Sequence, residues 1–254
     1  MARAAVPGRL SNRLGWRVAR LVEHRVETPT AATLVLEVPD WPGHLPGQHV
    51  DIRLTAADGY RAERAYSLAA PAEGNRIELT VQRVPDGEVS PYLLEVFAAG
   101  DPVEVRGPVG GWFVWRPTDT TPVLLVAGGS GIVPLMSMVR ARRAAGSRVP
   151  FRLIYSARSP ADVCYAAELR RRARDDMGLD VFHIFTREAP EDRPAPPRRI
   201  CTADLSTNGW PPSFEPACYV CGPTGFVETV ADILVALGHD PRRVRTERFG
   251  PTGG

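Results

Sequence analysis

The sequence predicts two domains: an N-terminal antiparallel Greek-key β-barrel and a C-terminal α/β domain with a doubly wound parallel sheet. From residue 16 to about residue 115, short segments of alternating apolar and polar residues are separated by turn residues, as in all-β domains. After Thr121, apolar segments alternate with helical patterns, which indicates a parallel sheet covered by helices. A length of 254 residues suits two domains. We predict a flexible basic arm at 1–14, a barrel domain at 15–117 and an α/β domain at 118–254.

The composition excludes several classes of function. The net charge is +2, so we predict no nucleic-acid partner. All 31 basic residues are arginine, which excludes a Walker-type phosphate lysine and a Schiff-base lysine. The four cysteines are too few for a disulfide scaffold and lack the spacing of an iron–sulfur site. Cys218 and Cys221 form a C-x-x-C pair, but residues three apart on a strand face opposite sides, so we predict no metal site.

The protein is expected to be a cytoplasmic monomer without a membrane partner. Its N-terminal residues include arginines but no continuous apolar segment, so they do not resemble a signal peptide. Residues 120–139 carry no charge, yet glycines and Pro134 divide them into two short apolar blocks. A strand, a turn and a helix explain this segment better than a membrane span does.

Seven strands are predicted in the first domain, because short segments with strand-like composition lie between turn signals. They are residues 17–25, 33–38, 49–54, 64–69, 77–83, 102–106 and 112–114. Several short antiparallel strands favour a closed barrel, since closure leaves no exposed sheet edge.

The fourth predicted strand carries three different chemical groups in succession. Arg64 can pair with a phosphate, Tyr66 can lie against a planar ring, and Ser67 can hydrogen-bond a ring heteroatom. A single ligand with these three parts could use all of them. The alternative is an edge strand with ordinary polar residues, which these residues alone would favour.

A short helix is predicted after the fifth strand. Ser90 is the expected N-cap and Pro91 the first helical residue, and Gly87 precedes them in a turn. A glycine turn that leads into a helix exposes amide groups that can bind a pyrophosphate. A simple connecting helix fits these residues equally well.

The second domain opens with a predicted strand at 123–126, a glycine turn at 128–131 and a helix at 132–145. In doubly wound sheets, such a turn binds nucleotide phosphates where the strand order reverses. The next strand, at 151–156, leads to Arg158. Arginine at the carboxyl end of this strand suits a 2′-phosphate, so NADP is favoured over NAD, with a solvated loop arginine as the alternative.

The remaining elements continue the alternating pattern. They are a helix at 161–174, a strand at 181–186, an irregular proline-rich loop at 190–197, a strand at 217–221 and a helix after 222–223. The last residues, 245–254, are expected to form a short strand that returns to the cleft between the domains.

Taken together, six motifs resemble those of the ferredoxin–NADP reductase family and follow the family's order. They are R-x-Y-S at 64–67, G-x-V-S at 87–90, G-G-x-G-I-x-P at 128–134, S-x-R at 156–158, C-G-P at 221–223 and a late acidic–aromatic pair at Glu247 and Phe249. The resemblance covers nearly the whole chain from Trp16 onward. It implies a flavoprotein oxidoreductase that binds FAD on the barrel and NADP(H) on the α/β domain.

The resemblance also implies roles for individual residues. Those implied for FAD are Arg64, Ala65, Tyr66, Ser67, Val81, Gln82, Arg83, Gly87, Glu88, Val89, Ser90 and Phe249. Those implied for NADP(H) are Gly129, Ser130, Gly131, Ser156, Arg158, Thr186, Arg187, Arg199, Cys221, Gly222 and Pro223. Those implied as catalytic are Ser67, Cys221 and Glu247. Phe226 stands where many relatives have methionine, which we interpret as a packing substitution.

As its reaction, the resemblance implies hydride transfer from NADPH to FAD and electron transfer to a separate one-electron acceptor. A ferredoxin-like carrier is the first choice, because the chain has no cysteine set for a cluster of its own. One alternative is the reductase component of an oxygenase or molybdenum-enzyme system. A second is direct reduction of a free flavin or a ferric chelate, and a third is a non-catalytic flavin-binding module.

Overall fold

A computed structural model describes residues 15–191 and 196–249 of the chain. The basic arm predicted at 1–14 lies outside the described residues, as do residues 192–195 of the proline-rich loop and residues 250–254 of the predicted final strand. The described chain forms two sheets. The predicted domain boundary at residues 117–118 falls between these sheets and stays a prediction.

The first sheet is an antiparallel barrel of six strands. They are β1 (Trp16–Thr28), β2 (Ala31–Glu37), β3 (His49–Thr55), β4 (Arg61–Ser67), β5 (Arg76–Gln82) and β6 (Pro102–Val109). Their spatial order is β4-β3-β6-β1-β2-β5, so β6 is inserted between β1 and β3, as in a Greek key. A bridge between Leu68 and Leu79 joins the two outer strands and closes the barrel. The predicted barrel is therefore confirmed.

One predicted strand of the barrel, at 112–114, is wrong. This segment is a bend followed by irregular chain. The Val114 carbonyl accepts hydrogen bonds from the Tyr219 hydroxyl at 2.9 Å and the Arg245 guanidinium at 2.7 Å. Trp115 is fully buried, with its ring edge-on to a neighbouring aromatic ring. The segment packs against the second sheet and finds its hydrogen-bond partners there, so it needs no strand neighbour.

The helix α1 (Val89–Glu95) lies beside β4 and β5 and buries Val89 and Leu93 in the barrel core. Glu88 is its N-cap, so the predicted N-cap at Ser90 is wrong. The Ser90 hydroxyl instead accepts a hydrogen bond from the Val84 amide at 3.0 Å. Its side chain therefore stabilises the preceding loop from inside the first helical turn.

The second sheet has five parallel strands with helices between them, which confirms the predicted α/β architecture. The strands are β7 (Val123–Gly128), β8 (Phe151–Ala157), β9 (Leu179–Phe185), β10 (Ala217–Pro223) and β11 (Val244–Phe249). The helices are α2 (Ile132–Ala144), α3 (Ala166–Asp175), α4 (Thr202–Asn208) and α5 (Thr224–Ala236). The spatial order is β11-β10-β7-β8-β9, so the order reverses between β7 and β10. The glycine turn after β7 lies at this reversal.

Two helices differ from the sequence prediction. The helix α3 begins at Ala166 rather than at residue 161, because Tyr165 adopts a left-handed conformation with φ of 58° just before it. The helix α4 was not predicted. Its Asp204 carboxylate accepts a hydrogen bond from the amide of the N-cap Cys201 at 2.8 Å. Cysteine is an unusual N-cap, so the sequence carried little signal for this helix start.

No helix within residues 15–191 and 196–249 has the length and apolar composition needed to cross a bilayer.

Arg140 of α2 links the two sheets. Its guanidinium donates to the Ala69 carbonyl at 3.0 Å and lies 3.0 Å from the Glu78 carboxylate, both on the barrel side. It also contacts the Glu168 carboxylate of α3 at 2.6 Å. Although burial acts in the opposite direction, Arg140 and Arg172 lower the pKa of Glu168, so this carboxylate stays charged. With its side chain only 14% exposed, Arg140 joins both domains through strong ionic hydrogen bonds.

A second link between the sheets is formed by hydroxyl groups. The Tyr165 hydroxyl hydrogen-bonds the Thr80 hydroxyl of β5, which in turn contacts the Thr33 hydroxyl of β2 at 2.7 Å. The Tyr165 amide donates to the Glu27 carboxylate of β1 at 3.1 Å. This series of hydrogen bonds explains the conformation of Tyr165 and the late start of α3.

Replacement of Arg140 by glutamine should destabilise the protein by about 2 kcal/mol, because Glu78 and Glu168 lose their shared cation and keep only Arg25 and Arg172. Urea unfolding followed by tryptophan fluorescence measures this loss. Arg76→Gln is the matched control, since Arg76 makes only an exposed ion pair with Glu37 and should leave the free energy of unfolding unchanged within error. Equal stability of the two variants would contradict this role for Arg140.

Candidate active site

The side chains of β4 present a cation, a ring and a hydroxyl in the predicted order. Arg64 is exposed, and its guanidinium donates only to the Glu63 carbonyl, at 2.7 Å; no described carboxylate pairs with it. Ala65 is exposed, and Tyr66 is half-buried against the barrel core. Burial raises the pKa of Tyr66, with Arg64 opposing, so its hydroxyl remains protonated.

Ser67 is 5% exposed, and its hydroxyl oxygen is buried without a hydrogen-bond partner among the described residues. A buried hydroxyl with no partner is unfavourable by about 1–3 kcal/mol. Arg64, three residues earlier on the same strand, has no ion-pair partner among the described carboxylates. Arg64 can therefore pair with an anion and Ser67 with a hydrogen-bonding atom, and FAD offers both.

Two side chains predicted for FAD next to α1 are engaged with other residues of the barrel domain. The Glu88 carboxylate accepts hydrogen bonds from the Tyr60 hydroxyl at 3.1 and 3.2 Å, and Arg83 pairs with Glu95 at 2.6 Å. Val81 and Val89 point into the barrel core, so they can offer a ligand only their main-chain groups.

Gly87 and Ser90 lie together in this loop. A Cβ at Gly87 would come within 3.1 Å of the Val84 carbonyl oxygen and 3.4 Å of the Ser90 hydroxyl oxygen. The Ser90 oxygen accepts from the Val84 amide, and its own proton remains available for donation. The loop is therefore tight and has a donor at its base.

Four residues follow one another where the two sheets meet, a place that we call the seam. They are Ser67, His49, Glu247 and Cys221. His49 and Ser67 are directly opposite in the β3–β4 pair. His49 Nδ1 lies 3.9 Å from Glu247 Oε1 of β11. Glu247 is in turn opposite Cys221 in the β10–β11 pair. The three residues predicted as catalytic thus approach one place from two domains, and the connecting residue is His49.

Burial sets the protonation of this seam. It raises the pKa of Glu247 to about 7, and the Glu247 Oε2 atom has no described hydrogen-bond partner. It raises the pKa of Cys221 well above its usual value, with Glu247 adding to the effect, so Cys221 is a thiol. It lowers the pKa of His49, against the opposing charge of Asp51. Near neutral pH, Glu247 is therefore the group that can bind or release a proton.

The glycine turn after β7 is pressed against β10. Residues Gly129–Gly131 form one 3₁₀ turn that leads directly into α2. A Cβ at Gly131 would lie 2.1 Å from the Cys221 carbonyl oxygen, so no other residue fits without moving the backbone. Gly129 has a φ of +55° and open space at its Cα. The turn thus holds Cys221 in place and leaves a face on which a ligand can approach the backbone.

A cavity of about 230 Å³ opens beside this turn. The predicted site residues on its wall are Gln82, Gly129, Ser130, Ser156, Arg158, Thr186, Pro223 and Phe249. Hydroxyl groups, one guanidinium and a glycine turn therefore line the same cavity. The Arg158 side chain has no hydrogen-bond or ion-pair partner within the described part of the chain. This donor set fits a nucleotide with phosphate groups.

Five residues predicted for NADP(H) do not line this cavity, and one of them, Gly131, is the last residue of the 3₁₀ turn that packs against β10. Cys221 and Gly222 lie behind its wall on β10, whereas Arg187 and Arg199 are exposed elsewhere on the loops after β9. The structure thus separates the latter two arginines from the cavity lining.

The sequence interpretation missed several residues that shape the site. His49 could have been found from strand pairing, because it lies opposite Ser67 in a predicted hairpin. Asp162 lines the candidate nucleotide-binding cavity, and its carboxylate accepts a hydrogen bond from the Ser159 hydroxyl at 2.6 Å. Phe226 also lines the cavity, and a Cβ at Gly128 would come within 2.7 Å of its ring. Phe226 therefore packs as expected but also forms part of the wall.

Two family models match this chain in the order of its two sheets. The oxidoreductase FAD-binding domain matches residues 19–114, and the oxidoreductase NAD-binding domain matches residues 125–232. The chain belongs to the ferredoxin–NADP reductase family. This family membership confirms the resemblance drawn from the six motifs. It also confirms the predicted cofactor classes, FAD and NAD(P), and the oxidoreductase class of the chain.

Relatives in the family include reductase components of oxygenase systems. The glycine betaine monooxygenase reductase subunit of Pseudomonas aeruginosa is 32% identical over 209 residues, which cover 82% of this chain and 56% of the relative. The naphthalene 1,2-dioxygenase system ferredoxin–NAD(P)⁺ reductase component of Pseudomonas putida is 28% identical over 211 residues, which cover 82% and 61%. The chain thus spans less than two thirds of the length of these curated relatives.

A solved structure in the family supports the arrangement of both domains. The crystal structure of the flavohem-like FAD/NAD-binding domain of nitric oxide dioxygenase from Vibrio cholerae superposes with a TM-score of 0.82 at 27% sequence identity. The match covers 92% of this chain and 99% of that domain. The two-domain fold is therefore that of the family.

Gly131→Ala should lower the free energy of unfolding by about 2 kcal/mol or more, because the new methyl group overlaps the Cys221 carbonyl. Gly225→Ala is the matched control: it has open space in α5 and should leave stability unchanged or raise it by up to about 1 kcal/mol. Thermal and urea unfolding of both variants measure the effect. A Gly131→Ala protein as stable as the unmodified one would show that the turn is not pressed against β10.

Glu247 should make stability depend on pH. Its folded-state pKa of about 7 exceeds its ordinary value of 4.5, so the folded state binds more protons. Stability from this group is therefore fully present below about pH 4.5 and declines as the pH rises to 7, by about 3 kcal/mol in total. Urea unfolding between pH 4.5 and 8 should show Glu247→Gln gaining stability over the unmodified protein as the pH rises. Parallel pH profiles for the two proteins would refute this assignment.

Proposed function

We propose that this chain passes electrons from NADPH through FAD to a separate one-electron acceptor protein, either a ferredoxin or the oxygenase component of a multicomponent system. The observation that carries the proposal is the seam at which Ser67 of the barrel approaches Glu247 and Cys221 of the parallel sheet. Two surfaces with complementary binding chemistry meet there. The names of the relatives, as reductase components, support a separate acceptor.

On the barrel, Arg64 would hold the diphosphate of FAD, since no carboxylate of the described chain pairs with its guanidinium. The ring of Tyr66 would flank the isoalloxazine, and the Ser67 hydroxyl would hydrogen-bond one of its nitrogen atoms. When bound, FAD supplies the ability to accept two electrons from a reduced nicotinamide and to release them one at a time.

On the parallel sheet, the turn at Gly129–Gly131 and the hydroxyls of Ser130, Ser156 and Thr186 would hold the nucleotide. Arg158 would bind the 2′-phosphate of NADPH, because it borders the cavity and its side chain has no ion-pair partner among the described residues. The carboxylate of Asp162 on the same wall would repel that phosphate and accept hydrogen bonds from a ribose, which supports NADH as the second candidate cofactor.

At the seam, the chain's own residues would control protons and water. Ser67 and Cys221 are buried, so solvent does not reach them where the two surfaces meet. Glu247, with a pKa of about 7, can hold a proton there or pass it towards His49. The neutral Cys221 thiol adds no charge that would oppose a nearby nicotinamide.

Arg158→Gln should raise the KM for NADPH about tenfold or more and leave that for NADH nearly unchanged, since only NADPH loses a charge-assisted phosphate contact. Asp162→Asn is the complementary variant and should lower the KM for NADPH. Steady-state kinetics with both nucleotides measure these effects. A loss shared equally between NADPH and NADH would place Arg158 away from the 2′-position.

The proposal as a whole is tested with the purified protein loaded with FAD. Anaerobic NADPH should bleach the flavin, and turnover should be rapid with a ferredoxin and slow with free flavin. Faster turnover with free flavin or a ferric chelate would instead favour direct reduction of a small molecule. A protein that cannot be loaded with FAD would overturn the proposal.

A further inference from the structure

A second cavity, of about 330 Å³, lies at the other end of the parallel sheet. Its wall includes Thr118, Thr120 and Thr121 just before β7, Ala217 at the start of β10, and Arg243 just before β11. Because these strands are parallel, their amino ends form one edge of the sheet, and their carboxyl ends form the opposite edge. The glycine turn and Arg158 follow carboxyl ends. The second cavity is therefore distinct from the candidate nucleotide-binding cavity.

Arg245 is the cation of this cavity that lacks a carboxylate partner among the described residues. Its Nη1 donates to the Val114 carbonyl and the Tyr219 hydroxyl, both at 2.7 Å. Its Nε is buried without any hydrogen-bond partner in the described chain. The rings of Trp112 and Tyr219 lie 5.5 and 5.2 Å from its guanidinium carbon. A positive charge is thus held in place by neutral groups, and no described carboxylate neutralises it.

The other two arginines at this cavity form ion pairs near the surface, whereas its one carboxylate, Asp119, has no cation partner among the described residues. Arg243 contacts the Glu215 carboxylate at 2.8 Å, and that glutamate side chain is 70% exposed. Arg242 pairs with Asp240 on the surface at 2.8 Å. The Asp119 carboxylate accepts from a main-chain amide at 2.9 Å. Exposed ion pairs contribute little free energy and exchange readily, so Arg243 can turn towards a ligand beside Arg245.

We propose that this cavity binds a small oxyanion of the phosphate or carboxylate class. Arg245 and Arg243 would supply the charge, and the hydroxyls of Thr118, Thr120 and Thr121 would supply further donors. The anion would balance the Arg245 guanidinium, which has no carboxylate partner among the described residues. The proposal goes beyond the oxidoreductase function and does not depend on it.

Such an anion would also act on the chain between the two sheets. Arg245 holds the Val114 carbonyl, and Thr118–121 belong to the same connecting segment between β6 and β7. A ligand that contacts both Arg245 and these threonines would stabilise the connection. Binding should therefore change the environment of Trp112, whose exposed ring lies beside Arg245.

Calorimetric titration of the FAD-loaded protein with inorganic phosphate tests the proposal, with chloride used to hold the ionic strength constant. A parallel titration with acetate distinguishes the phosphate class from the carboxylate class. We expect saturable binding of one probe and about tenfold weaker binding in Arg243→Gln and in Arg245→Gln. The Arg243→Gln variant keeps the experiment informative if loss of Arg245 disturbs folding, because Arg243 is near the surface.

Arg158→Gln is the matched control, since phosphate could enter the candidate nucleotide-binding cavity instead. Unchanged phosphate binding in Arg158→Gln, with a phosphate-dependent change in fluorescence that is lost in Trp112→Phe, supports the second cavity. Binding that disappears in Arg158→Gln but survives in Arg243→Gln overturns the proposal. Absence of saturable binding by either probe also overturns it, and neither result bears on flavin reduction by NADPH.

Discussion

The contact between the two sheets is the constraint on which the rest of the structure depends. Neither half contains the complete seam, because Ser67 and His49 belong to the barrel and Cys221 and Glu247 to the parallel sheet. The relative position of the halves is fixed by the Arg140 ion pairs and by the buried hydroxyls around Tyr165. Both links are ionic or hydrogen-bonded and therefore directional. They hold a geometry that apolar packing alone would specify less tightly.

The same contact explains why unfavourable features persist at the seam. The Ser67 hydroxyl and one Glu247 oxygen are buried without described partners, although such groups usually find one. Burial also holds Glu247 at a pKa of about 7, which means that its charge is poorly solvated. The packing of the folded core must offset the free-energy cost of these unsatisfied and poorly solvated groups. Buried polar groups of this kind concentrate where a protein has to place reactive groups against a ligand.

Much of this arrangement followed from the sequence, and the failures have local physical causes. Strand alternation predicted six barrel strands, and the glycine turn predicted the reversal point after β7. The strand at 112–114 failed because its polar groups are satisfied by Tyr219 and Arg245, over 100 residues away. Sequence motifs supplied Ser67, Cys221 and Glu247, but not their connection through His49. Arg187 and Arg199 lie outside the cavity wall, and their predicted role in nucleotide binding stays a prediction.

The strand β11 has a consequence for how the protein folds during synthesis. Within the described residues it pairs only with β10, and it is the last of the described strands to leave the ribosome. Until then, β10 presents an open row of unpaired amide and carbonyl groups, the kind of edge that can recruit a strand from another chain. Completion of the sheet and delivery of Glu247 to the seam are therefore one event. A nascent chain that stalls before residue 244 is exposed to misassembly and lacks its proton-binding carboxylate.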